Sequence, residues 1–240
     1  MICLALESST SRASVAIAKD GILLSSRASY ISKKHSEFLN PAIEQCLNEN
    51  NLTLNNVDLL AVSQGPGSFT GIRVSAGAAK TFAYSLNKKI FVSNSLYLLY
   101  LQNSSNTNQS NIISMINAYK NMVYFSSYEN GQATTAPCAL TFEQVNSFIM
   151  KKNKSFLIVG DGYAVYEKHI SNEARPYLIR NEDKITDSDY PTAEFLACLA
   201  TKIQANSLAY DLHCQTIDWK IFSPLYIRAS EAEESLRSRI

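Results

Sequence analysis

The sequence predicts an α/β protein made of two similarly built halves, and three observations carry that expectation. The first hundred residues alternate short β-branched runs with longer helical patterns, a polar stretch runs from Asn103 to Asn111, and strand patterns start afresh at Ile112. With 240 residues the chain can build two domains, each with a core of its own. Its 46% apolar and 18% charged residues form a globular balance and exclude a mostly disordered chain.

Taken in order, Ile2 to Leu6 and Ser14 to Ala18 read as strands, and Ile22 to Ser29 as a third. Lys19-Asp20-Gly21 joins the last two as a hairpin turn, because glycine takes a positive φ without strain. Phe38, Leu39, Ala42, Ile43, Cys46 and Leu47 repeat at the spacing of a broad apolar helical face, which Pro41 should bend in its first turns. Leu59 to Ser63 is a buried strand, Gln64-Gly65-Pro66-Gly67 a junction, and about Ser68 to Leu86 a long helix. Ile90 to Ser93 follows as a strand and Leu96 to Leu101 as a helix. A three-strand meander followed by helix, strand, helix, strand is the order of one ribonuclease-H-like half of the actin and sugar-kinase superfamily, the ASKHA fold.

The second half restarts with hairpin partners Ile112 to Ile116 and Met122 to Tyr128, then a turn at Asn130-Gly131. Thr141-Phe142-Glu143-Gln144 reads as a capping box opening a helix to about Met150. Phe156 to Val159 is a strand, and Pro191 opens a helix to about Gln204. The expected domains are residues 1–102 and 103–240.

A net charge of +1 without a Lys/Arg stripe argues against a chain that grips nucleic acid by itself. Cys3, Cys46, Cys138, Cys198 and Cys214 are scattered, with no C-x-x-C pair, and read as free thiols of a reducing compartment. Glu7 breaks the first apolar run too early for a signal peptide, and no stretch reaches the roughly 20 apolar residues of a membrane span. A cytoplasmic protein without membrane contact is expected.

Four segments resemble a known family. Gly65-Pro66-Gly67-Ser68-Phe69-Thr70-Gly71-Ile72-Arg73 is similar to the G-P-G-S-F-T-G-[IL]-R signature of the TsaB family. Leu6-Glu7-Ser8-Ser9-Thr10 resembles that family's opening D-T-S-T turn, and His35-Ser36-Glu37-x-Leu39-x-Pro41 its H-S-x-x-L-x-P helix. Pro224-Leu225-Tyr226-Ile227-Arg228 is similar to its closing P-x-Y-[LI]-R. Two positions depart from the pattern: Glu7 stands for the usual Asp, and Asn117-Ala118-Tyr119 for D-A-R.

The resemblance implies a pseudo-enzyme that shares the fold of TsaD, the subunit that transfers threonylcarbamoyl to the adenosine beside the tRNA anticodon. It implies pairing with TsaD through the first-half helices, the ATPase TsaE joining that pair, homodimers when TsaD is absent, and tRNA contact only within the complex. On that basis the interface is expected at His35, Leu39, Ala42, Ile43, Cys46, Phe69, Ile72, Ser75, Ala76, Ala79 and Ala83, so that Ile72→Glu should block the partner and spare the fold. Gly65, Pro66, Gly67, Ser68, Gly71 and Arg73 are expected to be a structural signature.

The remaining chemistry has a functional and a plainer reading at each place. Gly65 and Gly67 precede a helix N-terminus, where free N–H groups favour an anion, but G-K-[ST] is missing and a turn feeding a helix explains them. Glu7 with Ser8, Ser9 and Thr10 resembles a first phosphate loop, or an acid that caps its own turn. At Asn117-Ala118-Tyr119-Lys120 no carboxylate is available to orient Mg²⁺. Gly160-Asp161-Gly162 resembles a fragment of an adenosine-binding turn, and a loop requirement explains it as well. TsaD-like catalysts carry an H-x-x-x-H pair, whereas Ser95 to Leu101 has no histidine and His35, His169 and His213 are far apart in sequence. No catalytic residue, metal or cofactor is therefore expected. The alternatives are an active nucleotide-dependent kinase or carbamoyltransferase of the same superfamily and, third, a metallopeptidase. The tail from Glu231 to Arg239 reads as solvated.

Overall fold

Apolar side chains on both faces make the first two strands a doubly covered layer, with the third strand as an exposed edge. β1 (Ile2–Glu7), β2 (Ala13–Lys19) and β3 (Ile22–Ser29) form an antiparallel meander. Asp20 and Gly21 turn its second hairpin at φ 51° and 83°, the left-handed pair that matches strand twist. Helix α1 (His35–Glu49) leads to β4 (Leu59–Ser63), and α2 (Phe69–Leu86) to β5 (Ile90–Ser93), the two strands running parallel to β1 and to each other. Helix α3 (Ser95–Ser104) closes the half, capped by the Asn94 side chain on the N–H groups of Leu96 and Tyr97. The computed structural model describes all residues except 31–34, 106, 181–184, 206–212 and 230–240. The expected tail, Glu231 to Arg239, lies outside the described residues.

The same order then recurs. β6 (Asn111–Asn117), β7 (Met122–Glu129) and β8 (Gln132–Thr141) form a second meander, and α4 (Phe142–Lys152) leads to β9 (Phe156–Val159), parallel to β6. Helix α5 (Asp161–Tyr166), the two-residue strand β10 (Leu178–Ile179) and helix α6 (Ala193–Gln204) complete the repeat. The sheets read β3-β2-β1-β4-β5 and β8-β7-β6-β9-β10, the same topology twice, and β11 (Cys214–Ile217) adds to the first beside β5. The Asn130-Gly131 turn and the Thr141–Gln144 capping box stand where the sequence puts them. β8 carries no apolar alternation and contains Pro137, which an edge strand tolerates; pairing with β7 makes it a strand.

Two cores flank the first sheet. Leu4, Leu6, Val15, Ile17, Val62 and Val92 face α1 and α2. On the other face Cys3, Ala5, Ala16 and Ala18 are small, which lets α6 lie close against β1 and β2. α3 packs on β6 and β7 instead, so each half lends its last helix to a core shared by both sheets, with Ile112, Ile116, Tyr124 and Tyr128 on the far wall. A third core joins Ile113, Met115 and Phe125 to Phe142, Val145 and Ile149 of α4.

This packing corrects the division at residue 102. The cut runs through α3, whose Asn103 is buried and donates to the carbonyls of Leu99 and Ser188, while α6 and β11 lie on the first sheet. Asn103 reads as loop because its hydrogen-bond partners are remote in sequence. Pro191 also shifts: Thr192 is the cap of α6, accepting the Phe195 N–H at 3.2 Å, and Pro191 precedes it. Among the described residues no helix is long and apolar enough to cross a membrane.

Candidate functional site

The turn after β1 is closed on itself. Glu7 is fully buried, and its Oε1 accepts the Ser9 N–H at 2.6 Å, while Oε2 has no hydrogen-bond partner. Burial pushes its carboxyl pKa up, against the opposing pull of hydrogen bonds from Ser9 and Ser63 and the charge of Arg12. The Ser8 hydroxyl donates to the Gly71 carbonyl at 2.8 Å. Arg12, itself buried, donates to Glu194 Oε1 at 2.9 Å and so ties this turn to α6.

The glycine block joins β4 to α2 and rests on that turn. Gly65 lies at φ 98° and precedes a cis peptide to Pro66. A Cβ on Gly67 would meet the Ser9 carbonyl oxygen at 2.1 Å, and one on Gly71 the Ser8 oxygen at 1.9 Å, so both positions admit only glycine at this separation. Ser68 N–H donates to Ser9 O at 2.7 Å, and Ser68 Oγ accepts the Gly71 N–H as the cap of α2. The Ser68 and Gly71 N–H groups thus serve contacts within the chain. Arg73 lies over the Phe69 ring at 3.8 Å and donates to the Tyr226 hydroxyl at 2.9 Å. Three of the four similar segments, far apart in sequence, meet here.

In the second half the equivalent places are the β6–β7 hairpin and the turn after β9. Asn117 Oδ1 accepts the Tyr119 N–H, and the Asn117 N–H donates to Asp161 Oδ1 at 3.0 Å. Asp161 is buried, which raises its pKa to about 7, with the Asn117 bond lowering it and the charge of Asp189 raising it. Gly160 sits at φ 112°, where a Cβ would meet the Met115 oxygen at 1.9 Å, and its N–H donates to Asp189, which Arg180 grips with two nitrogens. Close packing on β6 therefore explains Gly160 and Gly162.

The histidines do not converge. His35 is buried with Nε2 3.1 Å from the Thr10 carbonyl, and burial lowers its pKa; His169 lies beside Phe142 and His213 beside Tyr97. Among the described residues no three His, Cys, Asp or Glu side chains group as metal ligands.

The expected interface residues need correction. His35, Leu39, Ala42, Ile43, Cys46, Ile72, Ser75, Ala76, Ala79 and Ala83 are all buried inside the chain, most of them in the core under α1 and α2, and Phe69 is half-buried against Tyr226. A stripe at helical spacing marks the side that a helix buries, and here the chain's own sheet claims it. Ile72 is 1% exposed, so a carboxylate there strikes the fold and not a partner. The open side of α2 is Thr70, Gly77, Thr81 and Ser85, beside half-buried Val74, Ala78 and Phe82. Gly77 has nothing within 4 Å of its Cβ position. A glycine in the middle of a long helix was the available signal, since it costs about 1 kcal/mol relative to alanine.

Comparison with known proteins places this geometry. The family model for TsaD, tRNA N6-adenosine threonylcarbamoyltransferase, matches residues 23–236. The tRNA threonylcarbamoyladenosine biosynthesis protein TsaB of Buchnera aphidicola subsp. Schizaphis graminum is 29% identical over 169 residues, 68% of this chain and 79% of that one. The Haemophilus influenzae TsaB is 34% identical over 127 residues, 51% of this chain and 52% of that one. The chain belongs to the TsaB branch of that family. Among solved structures, an uncharacterized Pseudomonas aeruginosa protein with similarity to peptidase YEAZ has the same fold, with a TM-score of 0.75 at 23% identity, covering 95% of this chain and 99% of that one. The TsaB signature is thus, in this chain, the place where the turn after β1, the start of α2 and the closing segment interlock.

Proposed function

We propose that this chain serves the synthesis of threonylcarbamoyladenosine in tRNA as a non-catalytic subunit, docking through α1 and α2 onto TsaD and holding that enzyme active. The observation that carries the reading is the open side of α2, where Gly77, Thr70, Thr81 and Ser85 leave room for a second helix beside the half-buried Val74, Ala78 and Phe82. The internal use of Glu7, Ser8 and the Ser68 and Gly71 amides supports a scaffold role, since these are among the groups a nucleotide would need. TsaE joins the pair, tRNA is contacted only within the complex, and the same α2 face forms a homodimer when TsaD is absent.

Gly77→Glu tests this. Glutamate suits an exposed helix position, so the melt stays near native, while a charge in the helix contact weakens binding by about 3–4 kcal/mol, roughly two to three powers of ten. Size exclusion with TsaD should show loss of the complex and of threonylcarbamoyl transfer. A variant that co-elutes with TsaD as the parent does would move the interface elsewhere. The alternative, an active kinase or carbamoyltransferase, needs a metal-orienting carboxylate where Asn117 stands; tight Mg-ATP binding with turnover by the isolated chain would favour it.

A further inference from the structure

Residues 219–228 run along one flank of α2 from its last turn to its first and then leave for the other sheet. Trp219 packs edge-on to Tyr84 at 5.2 Å, Lys80 Nζ donates to the Phe222 carbonyl at 3.0 Å, and Tyr226 meets Phe69 and Arg73. The Leu225 N–H donates to Gln64 O at 2.7 Å, fastening the segment to the glycine block. Ile227 then packs on the core shared by the two sheets. Arg228 Nη1 donates to the Ala118 carbonyl at 2.6 Å and reaches that of Tyr119 at 3.4 Å.

The hairpin tip that Arg228 holds is held in an unfavourable shape. Tyr119, Lys120 and Asn121 follow one another at φ 58°, 52° and 59°, left-handed conformations that side chains with a Cβ disfavour and that persist only where the surroundings impose them. What imposes the observed state includes a guanidinium at the end of a segment that is fastened to α2 and its glycine block.

We infer that residues 219–228 form a strap coupling the outer flank of α2 to the tip of the β6–β7 hairpin, so that loosening the strap at Arg73 releases the hairpin across the sheet-to-sheet boundary. The path is contiguous: Arg73, Tyr226, Ile227, Arg228, Ala118. The coupling belongs to the isolated chain and stands whether or not α2 meets TsaD.

Amide hydrogen exchange of the full-length chain, followed by mass spectrometry, tests it. Tyr226→Phe keeps the ring on Phe69 and removes the hydroxyl that accepts from Arg73. It should speed exchange at residues 119–122 by about fivefold or more, the lower range of measured site-to-site couplings. Arg228→Gln should speed the same amides, and the double variant should add little beyond the larger single effect. Faster exchange confined to residues 69–73 and 224–226 in Tyr226→Phe, or no change anywhere, overturns the strap. Should Arg228→Gln fail to fold, Tyr226→Phe alone decides, because it removes one hydroxyl and no packing atoms.

Discussion

β4 passes into α2 and β9 into α5 at topologically equivalent places, each through a pair of glycines, yet the first junction launches eighteen helical residues and the second six. At both, a backbone approaches a neighbouring carbonyl so closely that a Cβ would lie 1.9 Å from it, Ser8 O at Gly71 and Met115 O at Gly160. The junction geometry is therefore common to the two halves, and the length of the following helix is not. Of these two helices, α2 is long enough to keep an exposed side at Thr70, Gly77, Thr81 and Ser85 while its other side is buried on the sheet. Duplicated topology does not imply duplicated roles: close packing sets the junctions, and spare surface separates the functions.

The comparison can be broken first within α2. Ile72→Glu should abolish folding or lower stability by about 3–5 kcal/mol, the cost of an unpaired buried charge, seen as a large fall in the urea midpoint or as insolubility. A soluble Ile72→Glu with a parental midpoint would mean that the buried and open sides of α2 have been exchanged.

The junctions come next. Gly160→Ala should cost about 3 kcal/mol, because overpacking on Met115 and a positive φ act together, and Gly71→Ala about 2 kcal/mol from overpacking on Ser8 alone. Denaturant titration of both reads the difference. A neutral Gly71→Ala would remove the packing account of the signature.

Asp161 gives the second junction a pH dependence. Its native pKa, about 7, lies above that of an unfolded aspartate, so the native chain holds an extra proton between about pH 4 and 7. A raised carboxyl pKa favours the native state fully at low pH, and that contribution is lost as pH rises through the native value. The loss has a slope of at most about 1.4 kcal/mol per pH unit. Asp161→Asn should flatten the stability profile across that window in urea titrations at pH 5 and pH 8. An unchanged slope would place the proton elsewhere.

The smallest effect has the opposite sign. Gly77→Ala fills open space on a helix and should stabilise by about 1 kcal/mol, raising the melting temperature by about 2–4 °C. Destabilisation there would mean that something of the chain's own already covers Gly77.

Much of this architecture was legible in the chain, for local reasons. Asp20-Gly21 and Asn130-Gly131 make two-residue turns wherever they stand, Thr141 with Gln144 makes a capping box, and Phe156 to Val159 can be little else than a buried strand. β8 and α5 were not legible, because an edge strand with a proline and a single-turn helix borrow their order from neighbours. Of the site, Gly65 to Arg73 was readable as a block, whereas Arg12, Tyr226 and Arg228 had no local signal for the contacts they make.

By itself, then, the sequence determined most of the order of strands and helices, many of the turns and caps, and the family, since each depends on residues within a few positions of one another. Only the tertiary structure decided which side of α2 is spent. Alanines, serine and glycine at helical spacing suit a sheet, a strap and a partner helix equally well, because small side chains carry little direction of their own. What assigns them is the wall each one meets: β4 and β1 under Ala76 and Ala79, residues 219–226 along the Arg73 flank, and open space over Gly77. Those walls lie up to about 150 positions away in the chain, and packing alone brings them together.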